Sequence, residues 1–344
     1  MVVRKDRILK IQKQIGKNEI LVTTDPADIF YLVGINIDAP FVVTKNSYYI
    51  LVSPMLKGQL RKIFKDNNLI VAEDNKQLLN MLKKKVKVER VILGNENTSV
   101  KFYNLLKQSF KNIKIKNVIS QLRQIKDESE VSYIKTAVKI LKKVLNETKN
   151  MLKEGIKEIE VKNFILKKFL DYNVEASFEP IVAFDENTSY PHHVSSDKKL
   201  KKDSLVLLDL GCKYNGYCCD VTRMFNVEKN QKIFYFYNQL KELQKRLLSL
   251  CKPKVKVKEI DLYAKKFLEQ FGLKDKYLHS TGHGIGIEIH EPPRISEFDK
   301  SVLKENMVIT IEPGIYFEGE FGLRIEDDIL IKEKNCVVLT NEVW

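Results

Sequence analysis

The sequence predicts an α/β N-terminal domain over residues 1–122 followed by an α+β domain over residues 123–344. Its length of 344 residues exceeds one average domain. The N-terminal third alternates short β-branched runs with amphipathic stretches, as a layered α/β unit requires. From Ile181 onward the pattern turns to strands with hairpin signals, interrupted by one pair of helical stretches.

In the first domain the expected strands are Glu19–Thr23, Phe41–Thr44, Tyr48–Val52, Leu69–Ala72, Arg90–Leu93 and Ile113–Ile119. Segments such as MLKGQLRKIFKDN lie between them, with apolar residues at helical spacing. This domain has no histidine and no glycine-rich loop opening a helix. A boundary falls in the polar stretch QLRQIKDESE, between Ser120 and Glu130. A long helix follows, with Val131, Ile134, Val138, Leu141 and Leu145 on one face. Further helices are expected near Ile159–Tyr172, Gln231–Leu250 and Lys258–Phe271, and the sheet between them should be largely antiparallel.

Hydrophobic residues at 44% and charged residues at 30% describe an ordinary soluble protein. No apolar run approaches the roughly 20 residues that span a bilayer, and the opening MVVRKDRILKIQKQIGK has no signal-peptide core. A cytoplasmic protein without membrane association is expected. Five cysteines, odd in number and without CxxC spacing, read as buried free thiols rather than a disulfide framework. The net charge of +14 raises the question of nucleic acid. The lysines are scattered, however, and the clusters KKKVK and KPKVKVK lack interleaved aromatics, so a solvated basic surface is expected and nucleic-acid binding is not.

The chemistry concentrates in the second domain. All five histidines lie between His192 and His290. Asp209 ends the apolar run LVLLDLG, and Asp220 lies in GYCCDVTR, with the hairpin dipeptide Asn215–Gly216 between them. With those two residues at the turn centre, Gly211 pairs with Asp220, and Asp209 lies diagonal to Asp220 on one face. Glu312 in MVITIEPGIYF and Glu326 in GLRIEDDILI flank a second hairpin with its midpoint at Gly319. Four carboxylates in otherwise apolar strands are costly unless cations compensate them. With His283, in TGHGIG, they resemble the ligand set of a two-metal hydrolytic site. Pairing with Arg223, Arg324 or nearby lysines would account for one or two of the acids and not for the whole set. The oxygen-rich set suits manganese or cobalt foremost, with zinc or iron(II) also compatible.

With these residues placed, the chain resembles the pita-bread metallopeptidases, and within them the Xaa-Pro dipeptidase (prolidase) and aminopeptidase P branch. The resemblance is carried by ILVTTDPADIFYLVGI, LRQIKDESEVSYIKTA, IVAFDENTSYPHH, LVLLDLGCKYNGYCCDVTR, HSTGHGIGIEIHEPPRIS, MVITIEPGIY and LRIEDD, in the family's order. It implies a creatinase-like N-terminal domain and a pita-bread catalytic domain. It implies that Asp209, Asp220, His283, Glu312 and Glu326 ligate two divalent ions, with Asp220 and Glu326 bridging them. It also implies that His192 and His290 line the substrate channel, that the chain is a homodimer, and that its substrates are short proline-containing peptides. The chain departs from the family at Phe184 and Asp185, where a Ser-Gly pair is frequent, and at Lys254, where glycine is usual; the first pair is expected to reshape the channel entrance.

The expected reaction is cleavage of the Xaa-Pro bond by a hydroxide held between two ions. Glu312 is the expected proton carrier, His192 and His290 the donors to the developing oxyanion, and Arg324 the group that orients a ligating carboxylate. Arg294, after Pro292–Pro293, is the expected clamp for a substrate carboxylate, which favours an Xaa-Pro dipeptidase. The alternatives are aminopeptidase P acting on longer peptides, methionine aminopeptidase, and a non-catalytic binding protein on the same fold. The α/β N-terminal domain and HEPPRIS stand against methionine aminopeptidase, and the intact donor set stands against the non-catalytic reading.

Overall fold

A computed structural model describes residues 3–341, so the expected domain ends at residues 1–2 and 342–344 lie outside the described residues. The chain divides into two compact units, up to Arg123 and from Gln124 onward.

The first unit runs α1 (Lys5–Gln14), β1 (Glu19–Thr23), α2 (Pro26–Val33), β2 (Phe41–Thr44), β3 (Tyr48–Val52), α3 (Pro54–Leu60), β4 (Leu69–Val71), α4 (Asn75–Lys85), β5 (Arg90–Leu93), α5 (Val100–Ser109), β6 (Ile113–Ile115) and α6 (Val118–Arg123). Its mixed sheet has the order β4-β3-β2-β1-β5-β6. Alternation along β1 sends Ile20 and Val22 to one face, where they join Leu78 and Leu82 of α4 and Phe102 of α5 in one apolar cluster. Asp25 starts α2 by accepting from the amides of Ala27 and Asp28, with Pro26 at the first helical position. The strand expected over Ile113–Ile119 ends at Ile115 instead. Val118 and Ile119 open α6, where both are buried and where Arg123 donates to Asp28 at 3.0 Å. An apolar pair so close to a strand cannot be told from strand by periodicity alone.

The second unit opens with α7 (Glu128–Met151), started by a reciprocal pair in which Asp127 accepts from the Glu130 amide and Glu130 from the Asp127 amide, both at 2.9 Å. Next come α8 (Glu158–Asp171), β7 (Glu175–Ala176), β8 (Ile181–Phe184), β9 (Val206–Leu210), β10 (Cys212–Tyr214), β11 (Tyr217–Cys218) and β12 (Val221–Phe225). The rest is α9 (Gln231–Leu250), α10 (Val257–Glu269), β13 (Gly282–Gly284), β14 (Glu291–Ile295), β15 (Val308–Ile311), β16 (Gly314–Phe317), β17 (Phe321–Arg324), β18 (Asp327–Ile331) and β19 (Cys336–Val338). The unit repeats one device: a helix pair covers one face of an antiparallel sheet. Leu141 of α7 and Ile165 of α8 share a core with Val182 and Leu208 of the β12-β9-β8 sheet. Leu247 of α9 and Ile260 of α10 share another with Ile309 and Ile329 of the β14-β13-β15-β18-β19 sheet.

The two departures from the family sequence are absorbed by the backbone. Asp185 and Lys254 both adopt the left-handed conformation, with φ of 49° and 74°, where glycine would otherwise be favoured. The expectation that Phe184 and Asp185 reshape the channel entrance is corrected. Phe184 is buried in the α7–α8 core, and Asp185 accepts from the Leu205 amide and the Ser204 hydroxyl, so neither lines the cavity. Cys212, Cys218, Cys219 and Cys251 are free and buried, and Cys336 is half-buried.

Candidate metal centre

The first hairpin keeps one register from its turn to its acids. Tyr214 faces Tyr217 across Asn215–Gly216, both of which take positive φ, and Thr222 faces Asp209 further along. Gly211 therefore stands opposite Asp220, and Asp209 lies diagonal to it. On the second hairpin Ile311 faces Asp327 and Gly314 faces Arg324, which places Glu312 and Glu326 on one rung. Their amides leave the hairpin, Glu312 donating to Thr281 O at 2.8 Å and Glu326 to Thr222 O at 3.4 Å. Those two bonds draw the residue before β13, which carries His283, and β12, which directly follows Asp220, to the same rung.

His283 lies between glycines that have no room for a side chain. A Cβ on Gly282 would come within 2.1 Å of Thr310 O, and one on Gly284 within 2.5 Å of Pro292 O. Its ring is oriented by a backbone bond: Nδ1 lies 3.0 Å from Gly284 O, a carbonyl that only accepts, so Nδ1 carries the proton. Burial holds the imidazole down at about 4, hence neutral. The Nε2 lone pair then faces Asp220 at 3.9 Å and Glu312 at 3.7 Å, which are not ion pairs for a neutral ring. Ligand atoms of Asp220, His283 and Glu326 all lie within 4.8 Å of one another.

The electrostatics of this cluster call for cations. Burial, reinforced by Glu326, Asp209 and Asp328, pushes the Asp220 carboxyl far above its ordinary range. Burial with Glu312 and Asp209 nearby does the same to Glu326, and burial lifts Glu312 to about 8. Among the described residues, Asp209 Oδ1 and Asp220 Oδ1 are buried without a hydrogen-bond partner. Arg324 donates directly to Asp209 and its charge partly offsets Glu312 and Glu326, while Arg223 pairs with Asp327 outside the set at 2.8 Å. Orphaned carboxylate oxygens around a neutral imidazole nitrogen fit divalent metal binding.

A polar network that the sequence reading missed surrounds the acids. Arg324 donates to Tyr316 Oη at 2.7 Å and to Thr222 Oγ1 at 3.0 Å, and Thr222 donates to Glu326 at 2.7 Å. Tyr316 Oη lies 2.9 Å from His279 Nε2, while His279 Nδ1 lies 2.8 Å from Ser280 O. The carbonyl assigns the His279 proton to Nδ1, so Tyr316 donates to Nε2; burial and Arg324 hold this ring down at about 4, in keeping with the neutral form. Lys126 and Glu291 form a buried pair at 3.2 Å, and the second Glu291 oxygen accepts from the Ile287 amide at 2.9 Å, which secures the turn before His290. No short motif marks these roles, because each depends on strands distant in sequence.

A cavity of about 890 Å³ opens over the acids, lined by His192, His290 and Arg294 among others. The His290 ring meets His283 edge-on, with centroids 4.4 Å apart. Arg294 lies at the rim, its Nε donating to Ser280 Oγ at 3.3 Å. The two glutamates that flank it in sequence pair with lysines instead: Glu291 with Lys126, and Glu297 with Lys265 at 2.8 Å.

A carboxylate cluster with one imidazole, set under a cavity between two helix-backed sheets, defines a metal-dependent hydrolase of the pita-bread type. Residues 132–333 match metallopeptidase family M24 and residues 7–125 match the creatinase/prolidase N-terminal domain. The chain belongs to metallopeptidase family M24. It is 33% identical to the Xaa-Pro dipeptidase of Pyrococcus furiosus, over 98% of this chain and 98% of the relative. The crystal structure of the prolidase from Pyrococcus horikoshii OT3 superposes with a TM-score of 0.90 at 30% identity, covering 98% of each chain. The X-Pro aminopeptidase from Thermotoga maritima superposes with a TM-score of 0.83 at 27% identity, covering 96% of this chain and 97% of the other. Among the described residues, no helix is long and apolar enough to cross a membrane.

Proposed function

We propose that this chain is an Xaa-Pro dipeptidase whose Asp209, Asp220, His283, Glu312 and Glu326 would hold two divalent ions. The observation that carries the dipeptidase reading is Arg294, which lines the same cavity as the acids while Glu291 and Glu297 are engaged elsewhere. A guanidinium there offers a two-pronged pair to the free carboxylate that a dipeptide presents next to its scissile bond. The prolidase relatives named above support the same substrate.

When bound, the ions would lower the pKa of a water and polarise the carbonyl before proline. The side chains perform the rest. His192 and His290 donate to the developing oxyanion from the cavity wall. Glu312, which lines the cavity floor, carries a proton to the leaving nitrogen. Arg324 fixes the Asp209 carboxylate and, through Thr222, that of Glu326. Manganese or cobalt is the proposed metal, since four of five donors are carboxylates. The proposed setting is the cytoplasm, and the proposed assembly is a homodimer, which light scattering would test.

The deciding assay compares kcat/KM for Ala-Pro and Ala-Pro-Ala. A preference for the dipeptide is expected, and a preference for the tripeptide would move the assignment to aminopeptidase P.

A further inference from the structure

Glu158, at the start of α8, has no solvent exposure, yet it touches no metal-site acid. Its two oxygens accept from five donors. Oε1 takes the Phe184 amide at 2.7 Å and Asn187 Nδ2 at 2.9 Å. Oε2 takes the Ser196 amide at 2.9 Å, Ser196 Oγ at 2.6 Å and His193 Nε2 at 2.8 Å. All five donors belong to the segment from Phe184 to Ser196, at both of its ends and within it. The end of this segment and the residues just after it also satisfy the start of α8, whose Ile159 and Glu158 amides donate to Ser196 O and Lys198 O.

His192 lies inside this segment, and its two neighbours are tied in different directions. Pro191 O accepts from Arg324, the same guanidinium that holds Asp209. The His193 ring is bound to Glu158. The backbone of His192 is thus strung between the metal-site network on one side and the buried carboxylate on the other. A loop residue secured at both neighbours loses the freedom that would otherwise blur its geometry.

We propose that Glu158 and His193 are positioning residues which fix the His192 ring over the carboxylate cluster by closing the 184–196 segment on a single buried carboxylate. The inference rests on the reading of His192 as a donor to the reacting carbonyl. A solely structural anchor would affect folding alone; a positioning pair must act through His192.

The test uses the full-length, metal-loaded chain and Ala-Pro. His193→Ala should lower kcat about tenfold with KM within about twofold, and His193→Gln, whose amide can still donate to Glu158, should restore most of the loss. In a His192→Ala background, His193→Ala should cost nothing further. In the chain loaded with diamagnetic zinc, the histidine ring NMR signals supply a readout independent of turnover: His193→Ala and Glu158→Gln should each displace the His192 signal and leave His283 in place. An unmoved His192 signal, or an equal kcat loss in both backgrounds, would overturn the proposal. If His192→Ala alone left kcat unchanged, the donor role of His192 would fail, and the NMR comparison would still decide whether Glu158 and His193 position that ring.

Discussion

Glu312 and Glu326 stand on the same rung of one hairpin, at the point where both strands leave the five-stranded sheet and enter the two-stranded β16-β17 ribbon. Freed from pairing with each other at this rung, their amides reach Thr281 and Thr222, so one sheet transition gathers the donors of four strands.

The three site histidines should separate by metal content. His283 presents a bare, neutral Nε2 to Asp220 and Glu312, whereas His192 and His290 line the cavity wall. His283→Ala should lose metal. His192→Ala and His290→Ala should keep it and lower kcat by about 10²–10³ each, the cost of one oxyanion donor. Elemental analysis beside steady-state kinetics checks this, and equal metal loss in all three would reverse the assignment.

Tyr316→Phe removes the hydroxyl that accepts from Arg324 and donates to His279. Arg324 is then left with an unpaired buried N–H, costing about 1–3 kcal/mol. Metal affinity should fall about tenfold through the loosened Asp209 and Glu326. Thermal unfolding and metal titration measure the two effects; an unchanged affinity would show that Arg324 orients no ligand.

Arg294→Ala should reduce kcat/KM for Ala-Pro by about 10–100-fold, the loss of a charge-assisted pair, and that for Ala-Pro-Ala by less than about threefold. Equal losses on both substrates would mean that Arg294 does not read the dipeptide carboxylate.

Burial alone would raise the Glu158 carboxyl, but the hydrogen bonds from His193, Ser196 and Asn187 outweigh it and hold the group at about 2, below its ordinary 4.5. A carboxylate depressed in the folded state contributes stability above its unfolded pKa, and that contribution is lost as pH falls through the folded value. The thermal stability gap between wild type and Glu158→Gln should therefore be full near neutrality and shrink between about pH 4.5 and 2. A gap independent of pH would show that the charge of Glu158 contributes nothing to the fold.

The sequence made the clustering of these four carboxylates legible because strand parity and a turn dipeptide fix which residues share a face: Asn215–Gly216 sets Asp209 diagonal to Asp220, and Gly319 sets Glu312 opposite Glu326. The buried face of α7, with Ile134, Val138, Leu141 and Leu145, was legible for the same reason of period. What surrounds the site was not. Tyr316, His279 and Thr222 meet Arg324 across separate strands, and Glu158 gathers a segment that begins 26 residues downstream. Contacts at such separations leave no local period. The misread end of Ile113–Ile119 has a different cause: Val118 and Ile119 are apolar and β-branched whether they close a strand or open a helix.

The most direct measurement strips the purified chain with chelator and titrates Mn²⁺ back while following both bound metal and Ala-Pro hydrolysis, in wild type and in Asp220→Ala. The stripped wild type should be inactive, regain activity as roughly two ions bind per chain, and be matched by an Asp220→Ala variant that loses most of the activity along with a shared ligand. Hydrolysis by the metal-free chain, or wild-type turnover by Asp220→Ala, would contradict the two-metal site.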